Sequence, residues 1–255
     1  MTNGLPEMLD FGHQIAWQAG KIALRYFQTD IHTDYKTDES PVTIADREAE
    51  HYLRTVINQR YPDHAILGEE EGATGDDNAP WRWILDPIDG TRAFVRGMPI
   101  FGVMIGIEYE HDMVAGIVYL PALGEMVYAA RGLGCRWNGR PCQVSNVTTL
   151  DKSLMVATRI TRYDEIGRQQ AFERLVNRAA LFRTWGDCYG YVLVATGRAE
   201  LMVDPAMHIW DAAPMLPILE EAGGTFTDWN GDRSVTAGNG IATNGLIYDE
   251  IFELL

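Results

Sequence analysis

The chain has 255 residues, 46% of them hydrophobic and 22% charged. That is enough for one substantial core and unlike the composition of disordered or fibrous proteins. Its 36 acidic residues against 21 basic ones give a formal net charge of -15, which argues against nonspecific nucleic-acid binding and against docking on an anionic membrane, since both need basic patches. The sign suits a protein that gathers metal cations or cationic substrates, although solubility alone also accounts for it.

Met1–Ile15 holds no basic segment followed by an apolar run, so no secretory signal is expected there. The most apolar stretches, Ile100–Ile107 and Tyr191–Ala195, are too short to cross a bilayer. Cys135, Cys142 and Cys188 form no C-x-x-C pair and are odd in number, which reads as incidental reduced thiols in a cytoplasmic protein. With no internal repeat and no long linker, a single domain over 1–255 is expected, its amino-terminal half reaching about 145 and its carboxy-terminal half following from about 146.

In chain order, Phe11, Ile15, Ala19, Ile22, Ala23, Tyr26 and Phe27 recur at helical spacing, with Pro6 near the start. A second helix is predicted from about Ile44 to Gln59, with Ala45, Ala49, Leu53, Val56 and Ile57 inward and Pro62 just beyond. Two short strands follow, Ala65–Leu67 and Trp83–Leu85. Each ends in acids: Glu69, Glu70 and Glu71 after the first, Asp86 after the second. Strand ends are rigid supports for carboxylates. Phe101–Ala130 reads as β structure punctuated by Gly116, Pro121 and Gly124. The remainder alternates. Strands are predicted at Leu154–Ala157, Leu181–Arg183 and Leu201–Asp204, and helices at Glu165–Ala180, at Tyr189–Thr196 and from near Trp210 to Gly223-Gly224. Thr225–Thr227 and Ile241–Thr243 look extended, and Leu246–Leu255 helical. Grouped strands followed by βαβ-like alternation predict an α/β (α+β) fold with two sheets sandwiched among helix layers.

Three acidic segments carry the chemistry: Gly68-Glu69-Glu70, Asp86-Pro87-Ile88-Asp89-Gly90-Thr91 and Trp210-Asp211. Carboxylates three apart, if buried, repel one another and lose hydration unless a cation lies between them. Pro87 stiffens the turn and Gly90 lets backbone approach a ligand. Such an oxygen-rich cluster suits Mg²⁺. An Asp-Pro or Asp-Gly step by itself is more often an exposed turn with solvated acids; the whole hexapeptide, flanked by an apolar strand and an upstream Gly-Glu-Glu, is more specific. By residue type alone, Asp46 reads as a helix-start acid favoured by the dipole, His208 as a satisfied buried histidine, and the tryptophans as core.

Together with Trp83–Leu85, Arg92-Ala93-Phe94 and the run from Ala212-Ala213 to Glu221-Ala222-Gly223-Gly224, these segments resemble the inositol monophosphatase superfamily over nearly the whole chain. The resemblance implies a layered αβαβα sandwich and a Mg²⁺-dependent, Li⁺-sensitive phosphatase with two to three ions per site. It implies that Glu69, Asp86 and the Ile88 carbonyl hold a first ion, that Asp86, Asp89 and Asp211 hold a second, and that Glu69 serves a third. Thr91 and Asp46 then resemble the pair that orients the attacking water, phosphate sits over Gly90 and Thr91, and Asp211 also borders the substrate. Glu70 falls behind Glu69, Glu71 faces solvent, and Lys36 either joins the site or is a solvated surface lysine. Arg92 touches phosphate or solvent. Thr37–Val42 has a composition that permits a loop closing over the site. A homodimer, with the β-rich middle region at its interface, is implied as well.

Within the superfamily, Trp185-Gly186-Asp187-Cys188-Tyr189-Gly190-Tyr191, Gly90–Gly97 and Ala242-Thr243-Asn244-Gly245 resemble the histidinol-phosphate phosphatases. Asp187 stands where inositol phosphatases usually carry small or hydroxyl residues, and Asp204 matches an acidic substrate-contacting position. Two carboxylates near the leaving group favour a cationic alcohol through charge-assisted hydrogen bonds. The expected substrate is therefore a small phosphate monoester, L-histidinol phosphate first and inositol 1-phosphate second. No second basic phosphate clamp supports a bisphosphatase. A catalytically silent metal or phosphate sensor is the reading from another class, and the complete set of Asp46, Glu69, Asp86, Asp89, Thr91 and Asp211 weighs against it. The one departure from the pattern is the helix after Asp211, where Pro217 is expected to kink or loosen the turn while Pro214 is tolerated.

Overall fold

The computed structural model describes residues 4–37 and 40–255. Asp38 and Glu39 of the Thr37–Val42 loop, and the first three residues of the amino-terminal stretch, lie outside the described residues. The chain begins with helix α1 (Leu5–Tyr26), a two-stranded ribbon of β1 (Thr33–Tyr35) and β2 (Pro41–Thr43), and helix α2 (Ile44–Arg60). There follow β3 (Ala65–Gly68), β4 (Gly72–Thr74), β5 (Trp81–Asp89), the short helix α3 (Thr91–Val95), β6 (Gly102–Tyr109), β7 (Asp112–Leu120), β8 (Glu125–Ala130), β9 (Gly134–Trp137) and β10 (Arg140–Pro141). The rest comprises β11 (Leu154–Ala157), α4 (Gln169–Arg178), β12 (Leu181–Arg183), α5 (Asp187–Ala195), β13 (Leu201–Asp204), α6 (Ile209–Ala212), α7 (Met215–Glu221), β14 (Thr225–Thr227), β15 (Gly240–Thr243) and α8 (Tyr248–Phe252).

Two sheets result. The larger has the order β10-β9-β8-β7-β6-β5-β3-β4 and the smaller β12-β11-β13-β15-β14. Strand alternation sorts side chains into three layers of core. Trp83, Leu85, Val103, Ile105 and Ile117 face α1 and α2, where they meet Ile15, Ala16, Leu53 and Ile57. The intervening Ile84, Met104 and Val118 face the other way, onto α5 and α7 and through them onto Val156, Met202 and Ala242 of the smaller sheet. Met155, Leu201, Val203 and Ile241 face outward against Phe172 and Leu175 of α4 and Ile251 of α8. The order of layers is αβαβα. Strands covered on both faces explain why β6 and β7 read as nearly continuous apolar runs.

Three features position the functional residues. β3 and β5 pair in parallel, with Gly68 opposite Leu85, so their carboxyl ends deliver Glu69 and Asp86 side by side at one edge. β5 runs further than the predicted Trp83–Leu85, and its register with β6 breaks between Asp86 and Asp89; this bulge re-aims the two acids. The third is the segment after Asp211, where the expected single helix is two. α6 ends at Ala212 and α7 opens at Met215, with Pro214 just before it and Pro217 in its first turn. The interruption at Ala213-Pro214 falls where the Pro217 ring crowds the carbonyl four residues back, so the expected loosening appears one turn before Pro217.

Other boundaries also move. α4 begins at Gln169 rather than Glu165, because Gly167 takes a left-handed conformation (φ 67) just before it. α8 starts only at Tyr248, after the Asn244 side chain has accepted hydrogen bonds from the Leu246 and Ile247 amides. The Cys135 and Cys142 sulfurs lie 3.4 Å apart across the β9–β10 hairpin. Among the described residues no helix is long and apolar enough to cross a membrane.

Candidate active site

α2 opens with a capping box. The Thr43 hydroxyl accepts from the Ala45 amide, and Asp46 Oδ2 accepts from the Thr43 amide at 2.8 Å and its hydroxyl at 2.7 Å. The helix-start reading of Asp46 is thus right for one oxygen only. Its other oxygen faces the Thr91 hydroxyl at 3.5 Å, and that hydroxyl donates more closely, at 2.9 Å, to the Ile88 carbonyl. Burial pushes the Asp46 carboxyl up to about 6, against the hydrogen bonds from Thr43.

The carboxylates of Asp86, Asp89 and Asp211 converge, with one oxygen from each lying within 4.8 Å of the others. Asp86 is 2% exposed and Ile88 fully buried, so the Asp-Pro-Ile-Asp segment is not an exposed turn. Each acid is held by a backbone amide: Asp86 by Ile88, Asp89 by Cys188 at the amino end of α5, and Asp211 by His208 at the start of α6. Burial raises all three carboxyls, with Asp211 reaching about 6, and the neighbouring negative charges raise them further. Three acids in such proximity, Asp86 buried and Asp89 and Asp211 half-buried, cannot all ionise readily without a counter-charge, and an all-oxygen donor set suits a hard divalent cation.

Glu69 lines the same cleft but turns to a different partner. Lys36 Nζ bridges Glu69 Oε1 at 2.7 Å and Glu70 Oε1 at 2.6 Å. Burial alone would lower the Lys36 ammonium, but these hydrogen bonds outweigh it and hold it above its ordinary value. Of the two readings for Lys36, the structure places it in the site. Burial also carries Glu70 up to about 7. Glu71 is about half exposed.

The cleft bounded by these residues has a volume of about 700 Å³ and is lined also by Gly90, Arg92, Thr158, Arg159 and Asp187. Gly90 takes φ +78, and a Cβ there would lie 3.0 Å from the Ile100 carbonyl oxygen; both requirements demand glycine. Asp187 sits in the left-handed region at φ 52 and accepts from the Thr158 hydroxyl at 3.2 Å. Asp204 does not reach the open cleft. It lies one layer deeper, holding the Ala206 amide at 3.0 Å, and with Asp187, Arg159, Asp89 and Asp211 borders a cavity of about 20 Å³. That space is no larger than a water molecule, so of the two carboxylates only Asp187 lines the open cleft. A somewhat larger groove of about 760 Å³ lies elsewhere, between α1, α2 and the β7–β8 side of the sheet. Its apolar lining of Phe11, Ile15, Trp17, Tyr52, Val56 and Met126 offers no such acids.

His208 is exposed and stacked on Trp210, with ring centroids 4.9 Å apart, which corrects its reading as a buried histidine. Its backbone amide donates to Asp211 at the start of α6 while the ring lies at the surface. Trp17 and Trp185 are likewise exposed rather than core. Sequence reasoning missed three residues: Arg159, and the buried pair Glu50 and Arg54 on α2. The spacing Asp46, Glu50, Arg54 in steps of four, in line with Ala49, Leu53 and Ile57, was the available signal for the pair.

The chain matches the sequence profile of the inositol monophosphatase family over residues 5–255. It is 42% identical over 236 residues to a histidinol-phosphatase of Chlorobaculum parvum, covering 92% of this chain and 91% of that one. It is 33% identical over 251 residues to human inositol monophosphatase 1, covering 91% and 87%. Among solved structures, the Thermotoga maritima IMPase superposes with a TM-score of 0.88 at 30% identity, covering 97% of this chain and 96% of that one. With its layered fold and converging acids, the chain belongs to the inositol monophosphatase family.

Proposed function

We propose that this chain is a Mg²⁺-dependent phosphate monoesterase whose substrate is L-histidinol phosphate. The observation that carries the substrate choice is Asp187. Its carboxylate lines the cleft beside Gly90, where an ammonium on the leaving alcohol would gain a charge-assisted hydrogen bond. The similarity to a histidinol-phosphatase supports the same choice.

In this reading Glu69, Asp86 with the Ile88 carbonyl, Asp89 and Asp211 hold two to three Mg²⁺ ions. When bound, the ions supply a water of lowered pKa and neutralise charge on the transferring phosphoryl group. The chain's own groups do the rest. The Gly90 and Thr91 amides at the start of α3 face the phosphate. The Thr91 hydroxyl orients the attacking water. Asp46 is the carboxylate facing that hydroxyl, so Thr91 can take a proton from water while passing its own to Asp46. A carboxyl raised to about 6 suits that role near neutral pH. Asp211 borders the leaving oxygen. A cytoplasmic homodimer acting on a small molecule, with neither nucleic acid nor membrane as partner, completes the reading.

One observation favours the second substrate, inositol 1-phosphate. Arg159 and Arg92 place positive charge near Asp187 and partly offset the burial that raises its carboxyl, which weakens its preference for an ammonium. The test is Mg²⁺-dependent phosphate release from both esters in one assay. A preference of about a hundredfold in kcat/KM for L-histidinol phosphate, about 2.7 kcal/mol, is expected. Equal rates would leave the metal chemistry and remove the ammonium argument. Turnover of neither ester, despite Mg²⁺ binding, would point to a sensor.

A further inference from the structure

Glu50 is fully buried on α2, one turn beyond Asp46, and faces the back of the Glu69 loop. Its Oε2 accepts the Glu70 amide at 2.8 Å, and its Oε1 accepts the Glu71 amide at 2.9 Å. A further turn along, Arg54 donates through Nε to Glu50 Oε1 at 2.8 Å, and its other nitrogens reach the Thr74 hydroxyl and the Gly72 carbonyl. The guanidinium thus ties the same carboxylate to the β4 side of the loop. Gly68 is fixed by this arrangement: a Cβ on it would lie 2.2 Å from Glu50 Oε1. The glycine that precedes the two glutamates therefore makes room for a buried carboxylate.

A buried ion pair is an expensive way to stabilise a fold, and apolar residues of like volume commonly do as well. What this pair supplies is geometry. Glu69 donates its own amide to the Leu85 carbonyl at 3.1 Å, and the next two amides end on one carboxylate, so the backbone carrying Glu69 is fixed on both sides. The same helix holds Asp46 opposite Thr91. One rigid rod sets the distance between the acid facing the attacking water and the acid offered to a cation. We propose that Glu50, clamped by Arg54, is a positioning residue that sets the cation affinity of the Glu69-dependent site. This inference rests on the metal-dependent reading above and deepens it.

The test uses Mn²⁺ as probe, with free Mn²⁺ read by its paramagnetic resonance signal in the absence of any ester. Glu50→Gln keeps the shape of the side chain but turns an N–H group toward one of the two amides. The expected result is two classes of Mn²⁺ site in the native protein. In the variant, the class that needs Glu69 weakens at least tenfold, while the class held by Asp86, Asp89 and Asp211 stays within twofold. Uniform weakening of both classes would make Glu50 a structural support only, and unchanged binding would likewise overturn the proposal. Arg54→Lys, which keeps the charge but loses the fork, should weaken the Glu69-dependent class by about threefold. If Glu50→Gln does not fold, that variant decides by the same comparison. Absence of Mn²⁺ binding by the native protein would overturn the metal reading itself, a result distinct from any ratio between variant and native.

Discussion

Replacing Asp187 by asparagine tests the ammonium argument with little disturbance of the backbone. Asp187 stands at φ 52, a region that asparagine enters readily and alanine only at a cost of about 1–2 kcal/mol. The substitution removes charge and leaves a side chain able to accept from Thr158. A hydrogen bond to a charged group contributes about 1.5–3 kcal/mol. The positive charge of Arg159 and Arg92 nearby places the expected loss at the lower end, about 1.5–2 kcal/mol, or roughly 10–30-fold in kcat/KM for L-histidinol phosphate. Inositol 1-phosphate lacks the cation and should change by less than about threefold. Asp187 is also, after burial, the largest influence raising Asp89, so its removal will alter the acid cluster. That effect strikes both esters alike, and the ratio of the two kcat/KM values isolates the contact with the alcohol. Phosphate release from both esters at saturating Mg²⁺ gives the ratio directly. Equal losses would refute the reasoning and make Asp187 a support for Asp89.

Two further outcomes follow from the geometry of the acids. Thr91→Ala should lower kcat by about 10²–10⁴ with KM within threefold, measured at saturating Mg²⁺; a raised KM with kcat preserved would make Thr91 a substrate binder. The second concerns stability. Burial holds Asp46 and Asp211 at about 6 rather than 3.8, and Asp86, Asp89 and Asp204 are raised as well. Between about pH 4 and 6 the folded chain therefore binds more protons than the unfolded one, so metal-free stability falls as pH rises through that window. Moving one carboxyl from 3.8 to about 6 corresponds to about 3 kcal/mol. The melting temperature in a chelator should be higher at pH 5 than at pH 7.5, and Mg²⁺ should restore it at pH 7.5. A metal-free protein more stable at pH 7.5 would contradict this.

Strand and helix types were legible where one periodicity dominated. The two amino-terminal helices, the acid-tipped strands and the βαβ alternation all appear where apolar spacing put them. Boundaries failed where a single side chain or one φ angle decides them. The split between α6 and α7 falls where Pro214 and Pro217 both remove amide donors, and the late start of α8 depends on the Asn244 carboxamide capping its approach. Asp86 and Asp89 were legible because the Asp-Pro-Ile-Asp motif is compact, whereas Asp211, far along the chain, was legible only through the family resemblance. The depth of Asp204 was not, since a strand-end acid can face a cleft or the cavity beneath it. Glu50 and Arg54 look, by residue type, like a solvated pair four apart on a helix. Only the approach of the Glu69 loop, across a gap that Gly68 leaves open, turns them inward.

The most direct measurement is a calorimetric titration of Mg²⁺ into metal-free protein at pH 6, in two buffers of different ionisation enthalpy. Carboxyls raised by burial and by one another, with Asp211 near 6, are partly protonated there, so cation binding must expel protons. The expected result is Mg²⁺ binding with release of about one proton or more, and loss of both binding and proton release at that cluster in Asp89→Asn. Equal binding by Asp89→Asn, or full phosphate release by native protein in excess chelator, would contradict a metal-dependent site built on these acids.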